Sequence, residues 1–445
     1  MALVLVACGA ALFASLFRAA VELIFVRGFH SSNVLTAFEH LPFWARVALP
    51  CLGGALAGLG AERASRPEGG KSVADVMEAV ALGGVRISLR ATLWKALGSW
   101  FAIVSGGSIG REGPLIQFGG ALGSTLGTTF RISEIRTRAL IAAGTAAGFA
   151  AAYNTPFAAV LFVVEVFTGV AALGIVLPTL IAVAIATALT RLFVGAGPIY
   201  GQRAFAMHSQ GELVVHLFLG VLAGLAGVAF MRLLAVGELA FARMRLSRPA
   251  RAAIGGAGVG LIAIFLPAVT GNGFEAIGLI LAGKLGIGML AVLVLAKPIA
   301  TTSSVGSGSP GGVFTPSLFL GAALGALLAS GLASVWPGLG PTGGYALVGM
   351  AAVVAATTHA PLMSAVLVFE LSGDYAIVLP LLVATSAANA VARTLMPSSI
   401  YMQELERKGL RWVVTLGGRE VERADGQLDG GAPRRDSQGN ERADG

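Results

Sequence analysis

Long apolar runs separated by short polar stretches fill most of the chain. Between Arg138 and Arg191 the only Asp, Glu, Lys or Arg is Glu165, and the stretch between Lys297 and Glu370 has none. One helix needs about 20 apolar residues to cross a bilayer, so each run predicts several crossings or segments that fold back within the membrane. The alternating polar and apolar positions of outer-membrane barrel strands are not seen.

The same pattern predicts individual elements. Long membrane helices are expected over residues 2–26, 43–61 and 213–240, and a short helix is expected to begin at Val73. The basic residues Arg86, Arg90 and Lys95 follow this short helix, and the positive-inside tendency places them near the cytoplasm. Glycines and prolines scattered through the apolar runs indicate short, interrupted helices. The membrane domain is expected to occupy residues 1–410, and the polar residues 411–445 are predicted to form a disordered tail.

Composition narrows the class of protein. Of the 445 residues 56% are hydrophobic and only 12% are charged, with a mean hydropathy of +0.81, so we expect an integral, multi-pass membrane protein. The first segment has no basic region before it and runs into Arg27, which favours a retained helix over a signal peptide.

The net charge of +8 suits loops at an anionic lipid bilayer surface. A nucleic-acid partner is not predicted, because the chain has no basic run with interleaved aromatic residues. Cys8 and Cys51 are isolated, so no metal site or disulfide is indicated.

An internal repeat divides the membrane domain into halves of about 1–200 and 201–410. Pro114–Gly123 aligns with Pro316–Gly325 at an offset of 202 (316 − 114), and Pro156–Glu165 aligns with Pro361–Glu370 at an offset of 205 (361 − 156). Duplicated membrane folds with broken helices are typical of transporters that bind their ligand near the midplane. The repeat itself does not distinguish parallel from inverted halves.

Each copy of the repeat predicts a helix that begins just after a glycine-rich break, at Gly110–Pro114 and at Gly311–Pro316. Two such N-termini meeting at the midplane would present free N–H groups and positive dipole ends to a small anion. Glu112 would lie at this site, where its ionised carboxylate could take the anion's place and leave when protonated, which predicts a gate and a possible proton carrier. The alternative is a structural Arg111–Glu112 pair that caps a helix.

These breaks, together with Gly271–Phe274 and Ser399–Tyr401, resemble the signature segments of the CLC family of chloride channels and proton/chloride antiporters. The resemblance extends in order from about residue 5 to 405. It implies an all-α fold of two inverted repeats with broken, re-entrant helices, a homodimer with one pore per subunit, and no cofactor. It also implies chloride or another small anion as substrate, with protons as a further one in the antiporters.

The resemblance assigns roles to individual residues. Glu112 matches the external gate, the main-chain amides of Val313 and Phe314 match the donors to the central anion, and the hydroxyl of Tyr401 matches a further donor. The anion-binding segments also contain Gly110, Arg111, Gly113 and Gly312.

Three departures from the family pattern modify this expectation. The usual Gly-Ser-Gly-Ile-Pro segment is Gly70–Ala74 here, with Lys71 at the serine position and Ser72 one place later, and either is a candidate ligand. Val166 stands where the antiporters have their internal proton glutamate, which favours a passive channel. Antiport stays the alternative because Glu165 is adjacent, although Glu165 could equally be structural. The family's frequent C-terminal nucleotide-binding domains are not expected after this domain.

Two other patterns suggest enzymes. Gly106–Gly110 fits the Gly-x-Ser-x-Gly elbow with Ser108 as nucleophile and His359 as base, but an elbow needs a strand-to-helix turn that this chain is not expected to form. Gly306–Gly311 fits a dinucleotide-binding fingerprint, but the βαβ unit that this fingerprint requires is not expected here.

We therefore expect a glutamate-gated, passive chloride channel in a bacterial inner membrane, and not an enzyme. The alternative is a proton-coupled chloride antiporter, and a remote alternative is an intramembrane serine hydrolase.

Overall fold

The computed structural model describes residues 1–31, 33–65, 73–82, 86–169, 172–201, 207, 209–406, 410–415 and 418–423. Lys71 and Ser72 lie outside these ranges, so their assignment as anion ligands stays a prediction.

The described part of the membrane domain is helical. In the first half the helices are α1 (Ala2–Gly28), α2 (Val34–His40), α3 (Phe43–Ala64), α4 (Val73–Leu82), α5 (Leu89–Val104), α6 (Glu112–Thr129), α7 (Glu134–Tyr153), α8 (Pro156–Phe162) and α9 (Leu173–Val194), with a π-helical turn at Val163–Thr168. In the second half they are α10 (Glu212–Ala242), α11 (Arg248–Phe265), α12 (Phe274–Leu281), α13 (Ile287–Gly306), α14 (Phe314–Leu332), α15 (Thr342–Thr358), α16 (Pro361–Ser372), α17 (Val378–Leu395) and α18 (Ile400–Glu406), with 3-10 turns at Pro267–Val269 and Tyr375–Ile377. Seven helical segments in these ranges are long and apolar enough to cross a membrane. The prediction of an all-α, multi-pass membrane fold with short interrupted helices is confirmed.

The two halves repeat the same local geometry. α6 and α14 begin at the repeat offset of 202 (314 − 112), and α7 and α15 both end on left-handed residues, Asn154 and His359, at the other offset (359 − 154 = 205). Proline then opens the next helix of each half, where its missing N–H needs no partner. The two halves therefore repeat not only the sequence pattern but also the positions at which helices begin and end and the residues that end them.

Glycines let α6 cross α7 closely, and equivalent glycines let α14 cross α15. A Cβ on Gly119 would collide with the carbonyl of Gly144, and a Cβ on Gly321 would collide with the carbonyl of Gly349. Small residues of this kind allow membrane helices to pack backbone against backbone. In each half, the helix that begins at the glycine-rich break is therefore packed closely against the next helix.

The halves are inverted relative to each other. One face carries the end of α3 and the start of α11, where the Arg248 guanidinium donates to the carbonyl of Ala61 at 3.3 Å. α6 runs toward this face, since Arg131 just beyond its end lines a cavity with Arg86. α14 runs the opposite way, since the N–H of Gly340 beyond its end donates to Glu212 at the far end of the long helix α10.

Basic residues concentrate on the face that holds the end of α3. The exposed ones there are Arg63, Arg86, Arg90, Arg131, Arg243 and Arg245. The positive-inside tendency assigns this face to the cytoplasm, and we call it the inner face and the opposite one the outer face. Lys95 departs from the expectation, because it is buried and forms an ion pair with Asp75 at 3.5 Å instead of lying at the membrane surface.

Two strands follow the last helix. β1 (Leu410–Thr415) pairs antiparallel with β2 (Gly418–Arg423), with Leu410 opposite Arg423. The prediction of a disordered chain from residue 411 is wrong for these strands, because the β-branched and aromatic run from Trp412 to Thr415 has high strand propensity once a partner strand is present. Residues 424–445 lie outside the described ranges.

Candidate functional site

The two glycine-rich breaks meet directly. The N–H of Gly110 donates to the carbonyl of Gly312 at 2.7 Å, and the N–H of Gly312 donates to the carbonyl of Gly110 at 2.9 Å, which forms an isolated antiparallel bridge. A Cβ on either glycine would collide with the carboxyl group of Glu112. Glycine is therefore required at both positions for this carboxyl group to lie between the two halves.

Glu112 closes on the N-terminus of the opposite half's helix. It is 1% exposed, and its Oε1 accepts from the N–H of Phe314 at 2.9 Å and from that of Thr315 at 3.3 Å. Its Oε2 accepts from the Thr315 hydroxyl at 2.8 Å. These donors stand at the positive end of α14, where an anion is stabilised by free N–H groups and by the helix dipole. A carboxyl oxygen of the protein thus occupies the position predicted for a bound anion.

Arg111 is directed away from this carboxylate. Its guanidinium lies over the ring of Phe274, 4.7 Å from the ring centroid. No hydrogen bond or ion pair joins Arg111 to Glu112 among the described residues. The structural Arg111–Glu112 pair considered from the sequence is therefore not formed.

Sequence reasoning missed two residues that support the closed carboxylate. Thr315 supplies an N–H and a hydroxyl to Glu112, and the hydroxyls of Thr315 and Tyr153 lie 2.9 Å apart. A threonine in the first turn of a helix is a capping candidate that could have been noticed. Tyr153 carried no such indication, because its contact depends on how α7 packs against α14.

Two cavities flank the closure on opposite faces. The inner chamber, about 420 Å³, is lined by the predicted site residues Glu112, Gly113, Gly312, Val313 and Tyr401, and also by Lys95. The outer chamber, about 370 Å³, is lined by Arg111, Asn272, Phe274 and Glu275, together with Arg18 and Glu22 of α1. Glu112 lines the inner chamber and its neighbour Arg111 lines the outer one, so the two polar cavities lie on either side of this pair of residues.

Comparison with known proteins decides the family. The family model described as voltage gated chloride channel matches residues 53–393. The chain belongs to this family, the CLC family.

Relatives with curated names agree with this assignment. The chain is 38% identical over 410 residues to a ClcB-like chloride channel protein of Ralstonia nicotianae, with 91% of this chain and 95% of the relative covered. It is 36% identical over 380 residues to the voltage-gated ClC-type chloride channel ClcB of Escherichia coli O9:H4, with coverage of 84% and 90%. A solved structure of a slow cyanobacterial Cl⁻/H⁺ antiporter matches with a TM-score of 0.80 and 26% identity, covering 92% of this chain and 97% of that one. Membership makes this CLC protein an anion transporter and not an enzyme.

The sequence pattern for a serine hydrolase offered Ser108 as nucleophile and His359 as base. In this CLC protein the hydrogen-bond partners of Ser108 are instead on α13. Its hydroxyl lies 3.0 Å from that of Thr301, and its N–H donates to the Ser304 hydroxyl at 3.1 Å. Both partners lie on α13, so Ser108 fastens the break before Glu112 to the second half. No group of three His, Cys, Asp or Glu residues able to hold a metal ion occurs in the described ranges.

Glu165 caps a helix of the opposite half. Its two carboxylate oxygens accept from the N–H groups of Leu362 at 3.2 Å and Met363 at 2.6 Å, in the first turn of α16. Glu370, its repeat equivalent, accepts in the same way from Phe157 at 3.0 Å and Ala158 at 2.8 Å, in the first turn of α8. These contacts support a structural role for Glu165 as the cap of α16. Val166 beside it is buried, and its side chain cannot carry a proton.

Proposed function

We propose that this protein exchanges chloride, or another small anion, for protons across the membrane, with Glu112 as the shared gate. The single observation that carries the proposal is the contact of the Glu112 carboxylate with the Phe314 amide and with the amide and hydroxyl of Thr315. A carboxylate and a chloride ion compete for such donors, because each presents one negative charge to the same helix N-terminus.

Exchange then follows from protonation. A proton that binds the carboxylate removes its charge and weakens its three hydrogen bonds, so the neutral side chain can leave the α14 N-terminus. The anion takes the freed donors, and the carboxylate can displace it again after losing its proton. Binding by amides and a hydroxyl, without a full positive charge in contact, holds the anion weakly enough for release.

The remaining predicted site residues fit around this position. Val313 and Tyr401 line the inner chamber beside Glu112, which supports an anion path that reaches the α14 N-terminus past the Tyr401 hydroxyl. Gly110, Gly113 and Gly312 keep the centre free of side chains, and Arg111 faces the outer chamber, where its charge attracts anions. Lys71 and Ser72 stay predicted ligands at the inner end.

Protons need a route that does not use an acid at position 166. Glu112 itself lines the inner chamber, and we infer that protons reach its carboxylate from this chamber without an intervening acid. We assign Glu165 to capping α16 rather than to proton transfer, because its two carboxylate oxygens accept from the N–H groups of Leu362 and Met363. The second candidate function is the passive chloride channel, which Val166 favours, since a valine offers no relay for protons.

We also infer a homodimer in a bacterial inner membrane. The short helices α8 and α16, of 7 and 12 residues, expose Phe157 (65%) and Leu362 (53%) in their first turns. Glu370 and Glu165 accept from the N–H groups at these two helix ends, and a second copy of the chain would shield their carboxylates from lipid. Cysteines introduced at both positions should cross-link two subunits, whereas a monomer by light scattering in detergent would contradict the dimer.

The decisive experiment uses purified protein in liposomes with a chloride gradient. Antiport predicts that chloride flowing down its gradient drives protons uphill, measured as a change in external pH. Chloride flux without proton movement would establish the passive channel instead. If neither chloride nor another small anion crosses, the proposed function is wrong.

A further inference from the structure

A third cavity lies at the inner face, where the end of α6 meets the start of α7. It has a volume of about 400 Å³ and is lined by residues of α4, α6, α7 and the turns beside them. Three of these residues are arginines, Arg86, Arg131 and Arg138, and we call it the arginine cavity. Its size falls within the range of about 300–1,000 Å³ that is usual for ligand sites.

Charge distinguishes the arginine cavity from the two chambers at the centre. The inner chamber is lined by equal numbers of basic and acidic side chains, which are Lys95, Arg248, Arg251, Glu112, Glu238 and Glu404. The outer chamber is balanced in the same way by Arg18, Arg111, Glu22 and Glu275. In the arginine cavity the acidic side chain among the described lining residues is Glu134, so the formal charge of the lining is +2 (3 − 1). This excess of positive charge favours an anionic occupant.

Two of the three arginines have their guanidinium groups available for a ligand. The side chains of Arg86 and Arg131 are exposed, and neither forms a hydrogen bond or an ion pair with another described residue. Arg138 instead donates to Glu134 at 2.9 Å, one turn away on α7. A guanidinium group presents its N–H groups as a fork that matches two oxygens of a phosphate group.

Close packing holds the elements around the arginine cavity together. Gly127 of α6 lines it, and a Cβ there would come within 2.5 Å of Cγ2 of Thr137 on α7. Ser124 of α6 also lines it, and its hydroxyl accepts from the N–H of Ile87 at 3.1 Å. The backbone next to Arg86 is therefore fastened to α6, the helix whose end carries the second available arginine.

The surroundings of the arginine cavity indicate which kind of anion it meets. Arg131 lies in the turn between α6 and α7, at the face that the basic residues assign to the cytoplasm. Phe130 and Ile135, on either side of Arg131 along the chain, are 47% and 81% exposed. Apolar side chains beside a basic cavity match a lipid, whose acyl chains and phosphate group are joined, whereas a free phosphate would leave them uncovered.

We propose that the arginine cavity binds the phosphate group of an anionic phospholipid of the inner leaflet, such as phosphatidylglycerol. The guanidinium groups of Arg86 and Arg131 donate to the phosphate oxygens, and the side chains of Phe130 and Ile135 contact the acyl chains. The site is separate from the central anion path and binds its lipid without transport. The inference therefore does not depend on the proposed function.

The test measures lipid binding to the purified protein in detergent by native mass spectrometry. Phosphatidylglycerol should bind at least about tenfold more tightly than phosphatidylcholine with the same acyl chains, because phosphatidylcholine has no net charge. Arg131→Gln and Arg86→Gln should each weaken binding of phosphatidylglycerol about tenfold, as expected for the loss of a charge-assisted hydrogen-bonded contact. Binding of phosphatidylcholine should change less than about twofold in both variants, which reports that their fold is kept.

Arg245→Gln is the matched control for Arg131→Gln. Arg245 is exposed on the same face outside the arginine cavity, and its backbone is left-handed like that of Arg131, with φ of 50° against 51°. Arg245→Gln should bind phosphatidylglycerol within about twofold of wild type, because only the general charge of the face changes. An equal loss in Arg245→Gln would assign the binding to that general charge and would overturn the site.

A soluble probe separates the lipid from other phosphate compounds. Glycerol phosphate carries the same phosphate chemistry without acyl chains, so it should displace phosphatidylglycerol only at a concentration at least about a hundredfold higher. Displacement at the concentration of the lipid itself would assign the cavity to a free phosphate compound and would overturn the proposal. Equal affinity for phosphatidylcholine and phosphatidylglycerol would overturn it as well.

Discussion

The structure uses a carboxylate to cap a helix of the opposite half at two junctions, and the two junctions differ in symmetry. Glu165 and Glu370 cap α16 and α8 reciprocally, each accepting from two consecutive N–H groups. Glu112 caps α14 without a reciprocal partner, because its repeat equivalent is Phe314 (314 − 112 = 202), which has no carboxylate. Capping of a helix N-terminus by a carboxylate of the other half therefore occurs once as a reciprocal pair and once in one direction only.

The difference shows what makes a capping carboxylate movable. If Glu165 left the N-terminus of α16, two amides within the membrane would lose their partners, and no ligand is expected there to replace it. If Glu112 leaves the N-terminus of α14, an anion from the inner chamber, which Glu112 lines, can take the same donors. We infer that the reciprocal junction fixes the fold and that the single junction works as the gate.

Glu112→Gln should give the largest effect, since it removes the titrating group from the gate. Proton movement coupled to chloride should fall by about a hundredfold or more, while chloride flux continues. Liposome flux with a pH electrode measures both. Glu165→Gln is the matched control and should keep its coupling; loss of coupling in Glu165→Gln alone would reverse the roles of the two junctions.

Removing either reciprocal cap should destabilise the protein to a similar extent. Glu165→Ala and Glu370→Ala each leave two backbone donors unsatisfied, which should cost about 1–3 kcal/mol. Thermal unfolding in detergent, monitored by tryptophan fluorescence, should show comparable shifts. A large loss for one variant and none for the other would break the symmetry argued here.

Gly312→Ala should displace the gate without changing its chemistry, because the added Cβ collides with the Glu112 carboxyl group. Chloride flux at neutral pH should rise about tenfold, as expected if roughly 1.4 kcal/mol of closed-state preference is lost. Gly174→Ala is the control, since a Cβ there meets no atom within 4 Å. Unchanged flux and unchanged pH dependence in Gly312→Ala would contradict a gate that has to pass this glycine.

Thr315→Val tests a single hydrogen bond of the gate. Losing the hydroxyl that donates to Glu112 Oε2 at 2.8 Å should destabilise the ionised carboxylate by about 1 kcal/mol. Chloride flux at neutral pH should then rise about fivefold, the change that corresponds to about 1 kcal/mol of lost closed-state preference. Tyr153→Phe removes only the hydroxyl beside Thr315 and should raise the flux less, so a larger rise than in Thr315→Val would place the main support on Tyr153.

The sequence predicted what is encoded locally. The duplication, the two breaks and the start of α6 near Glu112 follow from glycines, prolines and apolar runs, and the structure has them at the expected offsets. The contact of Tyr153 with Thr315 joins residues 162 positions apart and depends on the crossing of two helices, so no local pattern indicates it. The burial of Lys95 was equally hidden, since an isolated lysine near an apolar helix gives no indication of whether it is buried.

The bridge between Gly110 and Gly312 joins a residue to its own equivalent in the other half, at the offset of 202 (312 − 110). In an assembly of identical copies, a residue touches its own counterpart only on the two-fold rotation axis. A half-length chain with this glycine would make the same pair of hydrogen bonds between two separate copies. The fused chain thus preserves the geometry of an antiparallel dimer of half-length proteins, and joining the two copies into one gene allowed the glutamate to be present on one side only.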